Sequence, residues 1–312
     1  MKPVALTLLP LALLAMLPAE AGRPAAHAKP AQAMTADSQF QQISKRFLAE
    51  AMRLSPVEAT AMGEHRYDAL LPDMSASGRA ERRRAWQTFL VQLGQIDPVR
   101  LSRGNQVDLA LLKNELQYRI WQDRALQDWA WNAQIYNDIA AGALYTLAAR
   151  DFAPWDVRLK AATARMEALP AFLKASRTQL VPARVPPIFA ETVAKQNAGI
   201  VEIAEGMLAP HAAALKGADR VRFDKALAGL KAAVADQQTW LDTVLVPAAK
   251  GEFRLGPALY DQKMKFALMS DLTRPELKAR ALKAKAETRA EMYELSRRVL
   301  KGKADPSLLP DN

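Results

Sequence analysis

The sequence predicts an all-α fold, an irregular multi-helix array of long and short amphipathic helices with no sheet. Three observations predict it. The chain has only 13 Gly among 312 residues, few aromatics at 7%, and abundant Ala, Leu, Lys, Arg and Glu, a mixture that favours helix over strand. Apolar residues recur at three- and four-residue spacing through most of the chain. Two segments, Ser55-Pro56-Val57-Glu58 and Thr273-Arg274-Pro275-Glu276, read as helix-opening capping boxes.

Taken in order, Phe40, Ile43, Phe47, Leu48 and Ala51 mark a first helix ending near Leu54. Ser55 caps a second, with Gly63 as its stop, and Glu64 to Ser75 reads as an irregular loop. Arg79 to about Ile96 is a basic amphipathic helix carrying Trp86, Phe89, Leu90 and Leu93 on one face. Asn105 to about Leu126 is a strong helix, and Asp138 to Arg150 a short one. Pro154 opens a long helix that Pro170 is expected to kink or divide, because an interior proline lacks the helical N–H donor. Val181 to Pro187 is a proline-rich connector. Phe189 to about Leu208 and Asp219 to about Val246 are helical. Gly251 to Pro257 is a turn, and a short helix follows through Lys263 and Phe266. The last helix runs from the second capping box to about Leu300, stopped by Gly302 before a polar tail, Asp305 to Asn312. No fixed-period repeat is present.

The first residues read as an export signal. Lys2 supplies the positive start and Val4 to Leu17 the apolar stretch. Ala19-Glu20-Ala21 supplies a small-x-small cleavage site, with Ala26-His27-Ala28 as a second. The apolar run is about 14 residues and contains Pro10, short of the roughly 20 that span a bilayer, so a cleaved signal is expected rather than a stable membrane anchor. The expected organisation is a signal peptide over 1–21, a flexible linker over 22–37 rich in Ala and Pro, and a helical domain over 38–312. Export to the periplasm or the medium follows. The absence of cysteine excludes disulfides, thiolate metal sites, cysteine nucleophiles and a cysteine-linked lipid.

The net charge is +10. The basic residues are spread along helices among Asp and Glu, and the densest run, Arg79 to Arg84, is broken by Ala80 and Glu81. A solvated helix face explains that run, and no nucleic-acid partner is expected.

Catalytic signals are missing. The histidines are His27, His65 and His211, and none lies in a His-Glu-x-x-His pattern, the spacing that sets two imidazoles on one ion. There is no Gly-x-Ser-x-Gly elbow and no phosphate-cradling Gly-rich loop. Glu287 and Glu291 share a helix face, but Lys283, Lys285 and Arg289 beside them make surface ion pairs the expected role. Gly63 to Asp68 is a polar loop, read as locally hydrogen-bonded surface. Trp121, Trp129 and Trp131 are expected as core anchors rather than as a carbohydrate platform. No catalytic, cofactor-binding or metal-binding residue is assigned.

One resemblance supplies what these residues do not. Ser55-Pro56-Val57-Glu58-Ala59-Thr60, Gly63, Tyr67-Asp68 and Leu71-Pro72-Asp73 are similar to the start of the bacterial domain of unknown function 885 (DUF 885) family. Asn137-Asp138, Ala149 to Pro154, Arg165 through Pro170 to Leu173, Phe253 to Gly256, Tyr260, and Asp271 to Leu277 continue it in order. The resemblance implies an exported helical protein, often about twice this length. Its later half carries a His-Glu-x-x-Pro-Gly-His zinc motif and a Glu-Gly-Trp-Ala segment, the marks of a zincin-type metallopeptidase-like hydrolase. Neither motif occurs here, so the zinc, the peptide substrate and the catalysis that it implies belong to the intact form. This chain is expected to be its N-terminal helical portion and inactive alone. The alternative is a short relative that kept the scaffold as a non-enzymatic periplasmic binding or interaction module.

Overall fold

Phe40, Ile43 and Phe47 bury one face of α1 (Ala36–Leu54) against Trp86, Phe89 and Leu93 of α3 (Ala76–Gly94) and Leu109 and Leu116 of α4 (Arg103–Trp121). The computed structural model describes residues 34–300, and these contain no strand. The expected signal over 1–21, most of the linker, Gly302 and the polar tail lie outside the described residues. Helix begins at Ala36, within the stretch read as linker. Asp37 fixes that start by accepting hydrogen bonds from Ser102 N at 3.0 Å and Asn105 Nδ2 at 2.7 Å, contacts between segments distant in sequence.

A second core is larger. α5 (Gln134–Ala148), α6 (Trp155–Gln179), α7 (Pro187–Gln196), α8 (Gly199–Ile203) and α9 (Gly217–Trp240) enclose Leu144, Leu147, Leu159, Met166, Leu169, Ile200, Leu208 and Leu230, all fully buried. Short α2 (Pro56–Met62) lies between the cores, following α1 and packing on α5.

Several local expectations change. Pro170 does not divide α6, which runs unbroken from Trp155 to Gln179. Met166 and Leu169 before the proline and Phe172 and Leu173 after it are all buried, so packing on both sides outweighs one missing hydrogen bond. The first capping box does not form, and Ser55 makes no side-chain cap. The Ser55 N–H already donates to Ala51 O at 3.0 Å, so α1 runs into α2 without the orphan donor that Glu58 was expected to satisfy. The second box forms reciprocally: Thr273 N donates to Glu276 Oε2 at 2.9 Å, and Glu276 N to Thr273 Oγ1 at 3.4 Å. Gly63 ends α2 with φ +90°, the left-handed conformation expected of a glycine stop.

Long helices predicted as single pieces end in wider turns. α4, α8 and α9 each pass into a five-residue π-helical turn, at Gln122–Leu126, Ala204–Leu208 and Leu241–Leu245. The helix expected from Phe189 to Leu208 is also broken at Asn197. That buried amide donates to Val234 O and Gln238 Oε1, both at 3.0 Å, exchanging helical continuity for an anchor on α9. α10 (Val246–Ala248) closes this part.

α11 (Gly256–Leu268) sits on α4 through Met264, the Asn114 Nδ2 to Phe266 O hydrogen bond at 3.0 Å, and Trp121 Nε1 donating to Gln262 Oε1 at 2.6 Å. α12 (Arg274–Leu300) has no buried residue over 27 positions, and Leu282, Met292, Leu295 and Val299 are exposed. The Glu287 carboxylate faces Lys283 at 3.8 Å, as surface pairing predicts.

Candidate functional site

Between the two cores lies a cavity of about 540 Å³, within the range of small-molecule sites. Its walls come from the end of α1, from α2, from the first turns of α3, from α4 with its π-helical turn, and from α5. The arginine run read as a solvated face supplies one wall, because the turn before α3 is pinned against it. Ser75 caps α3 by accepting from Gly78 N at 3.2 Å, and Asp73 Oδ1 accepts from Ser75 N at 2.8 Å. Arg79, Arg82 and Arg83 then line the cavity, while Arg84 is exposed.

These guanidinium groups are differently employed. Arg79 stacks on the Trp129 ring with its carbon 3.8 Å from the centroid, donates to Met74 O and to Gln179, and lies 3.9 Å from Asp123. Arg83 pairs with the same Asp123. Arg82 donates to Asp73 O at 2.5 Å and to Met74 Sδ at 3.6 Å, and it takes part in no ion pair among the described residues. Burial pushes its pKa down, against the pull of the Asp73 charge. On α4, Arg119 pairs with Glu115 at 2.6 Å and lies over the Trp86 ring.

The π-helical turn after α4 aims Asp123 at Arg79 and Arg83 and brings Trp129 to the wall, where its indole N–H donates to Asp123 O at 3.1 Å. Trp121, Trp129 and Trp131 are half-buried and belong to neither core, each with its N–H satisfied. The Tyr136 hydroxyl donates to Trp129 O at 2.7 Å, and burial pushes its pKa up to about 12.

Acidic side chains share the cavity. Burial pushes the Asp128 carboxyl up, opposed by hydrogen bonds from the Trp129 backbone and from Gln122. Asp138 is raised by burial alone, and neither it nor Glu58 takes part in an ion pair among the described residues. A raised folded-state pKa means that ionised Asp128 opposes folding at neutral pH. Asp128→Asn is therefore expected to be the more stable protein at pH 7. Its advantage should shrink as pH falls through the raised value and be gone below the ordinary Asp pKa, where both states of the parent are protonated. Urea unfolding at a series of pH values checks the sign, and an advantage that grew on acidification would contradict it.

The polar loop Gly63 to Asp68 closes on itself. His65 Nδ1 contacts Asp68 Oδ2 at 2.9 Å while its ring stacks on Phe152 at 3.8 Å, and Arg66 holds the Glu64 carboxyl down to about 2. His211 is exposed and stacks on Trp155. Among the described residues no three His, Cys, Asp or Glu side chains converge to hold a metal ion. The zinc that the resemblance implies therefore finds no ligand set among them.

The model of a family described as bacterial protein of unknown function (DUF885) matches residues 56–308. No curated protein matches significantly. Among solved structures, a protein from Shewanella oneidensis described as a "putative lipoprotein of unknown function" is similar, with a TM-score of 0.74 and 26% identity. The match covers 88% of this chain and 50% of that one, so the chain spans about half the length of the solved relative.

Proposed function

The chain belongs to the bacterial DUF885 family, and on that premise we propose that it forms the helical wall of a ligand cleft in an exported, peptidase-like hydrolase. The carrying observation is the cavity between the two cores. It offers guanidinium, carboxylate and indole groups for binding, while no metal-holding cluster lies among the described residues. Two further features support the reading. The solved relative's description as a lipoprotein fits export, as does the apolar segment from Val4 to Leu17. The exposed apolar side chains of α12 suit contact with further protein. In this division of labour the chain binds and positions peptide, and the metal-dependent chemistry resides in the other half of longer members.

Fluorogenic peptides separate the possibilities. The purified chain is expected to turn none over, with or without added zinc, whereas a family member of twice the length is expected to cleave them until a chelator is added. Chelator-sensitive cleavage by this chain would overturn the assignment of chemistry elsewhere. A longer relative that binds peptides and cleaves none would favour the non-enzymatic binding module.

A further inference from the structure

The cavity between the cores holds charges of both signs that form no ion pair among the described residues. Arg82 is the cation. Two nearby carboxylates are otherwise engaged, Asp123 by Arg79 and Arg83, and Asp73 by Ser75. The Arg82 guanidinium meets only a carbonyl and a thioether, leaving its remaining N–H donors without a protein acceptor. Glu58 on α2 and Asp138 on α5 are the anions, and neither forms a hydrogen bond or ion pair among the described residues. These groups line one cavity, and no ion pair joins them among the described residues. Arg82 is half-buried, and holding a partly desolvated cation without an ion-pair partner carries a cost that a ligand carboxylate recovers, while Glu58 and Asp138 are exposed and open to a ligand cation.

The geometry points to a short peptide held by both termini, its carboxylate on Arg82 and its ammonium on Asp138, with Glu58 as a second acceptor. The inference rests on the peptide reading above and deepens it by naming the charged groups that are recognised. A guanidinium offers a carboxylate two parallel N–H donors. A polyanion is disfavoured, since Asp128, Asp138 and Glu58 face the same space. Burial depresses Arg82 more than the Asp73 and Asp123 charges raise it, and burial raises Asp138.

Trp86 and Trp129 line the cavity, so intrinsic fluorescence titration of the full chain reads occupancy, with calorimetry alongside. The probes are trialanine with free ends, its N-acetyl form, its C-terminal amide and inorganic phosphate. Free trialanine is expected to bind at least tenfold tighter than either blocked form, and phosphate to bind more weakly than trialanine. Arg82→Gln should abolish the preference for the free carboxylate while keeping that for the free amine, and Asp138→Asn should do the reverse. Equal affinity for free and blocked peptides overturns the proposal on the parent protein alone, whether or not the variants fold. Phosphate binding as tightly as trialanine overturns it in favour of a simple anion site. A longer relative that cleaves no peptide would sink the hydrolase reading and leave the terminal preference intact. Cleavage together with indifference to the termini would sink only the inference made here.

Discussion

Replacing Arg165 by Met is expected to cost about 3–5 kcal/mol of folding stability, the scale of breaking a buried charged network from one side. The side chain is fully buried. It donates to Leu70 O at 3.1 Å, Ala143 O at 2.8 Å, Pro56 O at 3.2 Å, Thr60 Oγ1 at 2.7 Å and Thr146 Oγ1 at 3.3 Å. One guanidinium thus joins α2, the following loop, α5 and α6. Thr60 relays the network by donating to Asp68 Oδ1 at 2.6 Å, which places a carboxylate one residue away from the buried cation. Burial lowers the Arg165 pKa to about 10, with Asp68 opposing the shift, so the group stays charged at neutral pH. Methionine would fill much of the volume and provide no donor. Pro56 O would keep its bond from Thr60 Oγ1, so the cost comes from losing hydrogen bonds to a charged donor, each worth roughly 1.5–3 kcal/mol, and not from orphaned carbonyls. Lysine should recover only part of the loss, since a single ammonium cannot span acceptors on separate elements. Urea unfolding followed by fluorescence gives the value, and a loss below about 1 kcal/mol would show that water or local relaxation replaces the network.

Gly78→Ala is expected to reverse the usual sign of a glycine substitution in a helix. Helix propensity alone favours alanine by about 1 kcal/mol. At Gly78, however, the added Cβ would lie 2.2 Å from Asp73 O and 2.5 Å from Asp73 Cγ, both on the turn that enters α3. That carbonyl is the acceptor for Arg82. The turn must move, and overpacking of this kind costs typically about 1–3 kcal/mol. Two effects should therefore appear together: lower stability and weaker binding at Arg82. Gly229 is the control. It is exposed in the middle of α9 with nothing within 4 Å of an added Cβ, so Gly229→Ala should stabilise the protein by up to about 1 kcal/mol. If both substitutions stabilise, the turn before α3 is softer than its contacts imply.

Much of the fold was legible in the sequence because it depends on spacing and local chemistry. Phe40, Ile43 and Phe47 lie in the core where helical periodicity put them, and Thr273 and Glu276 cap α12. Where local rules fail, they fail for one reason: Ser55, Pro170 and Asn197 are each decided by a partner from elsewhere, namely the α1 ladder, packing around the middle of α6, and acceptors on α9. The cavity was less legible for the same reason. Arg79 to Arg84 in isolation resembles any solvated basic helix. Its position opposite Asp123 and Trp129 depends on a π-helical turn that period counting does not distinguish from a continued α-helix. Arg165 lies within one of the blocks similar to the family, which gives no hint of its network. Its sequence signal was an arginine where the spacing of Ala162, Met166 and Leu169 called for an apolar residue.

The exposed helix α12 has a consequence for how this protein is measured. At about 1.5 Å per residue its 27 residues extend roughly 40 Å, and with no buried side chain it contributes ellipticity without sharing the cooperativity of the cores. Helix content and tertiary stability are therefore separable quantities in this chain. All six tryptophans precede α12, so indole emission follows the packed body alone, while circular dichroism adds a second, non-cooperative signal that responds to salt and temperature on its own terms. The two optical curves should diverge on heating, and the gap between them is the thermal unwinding of α12.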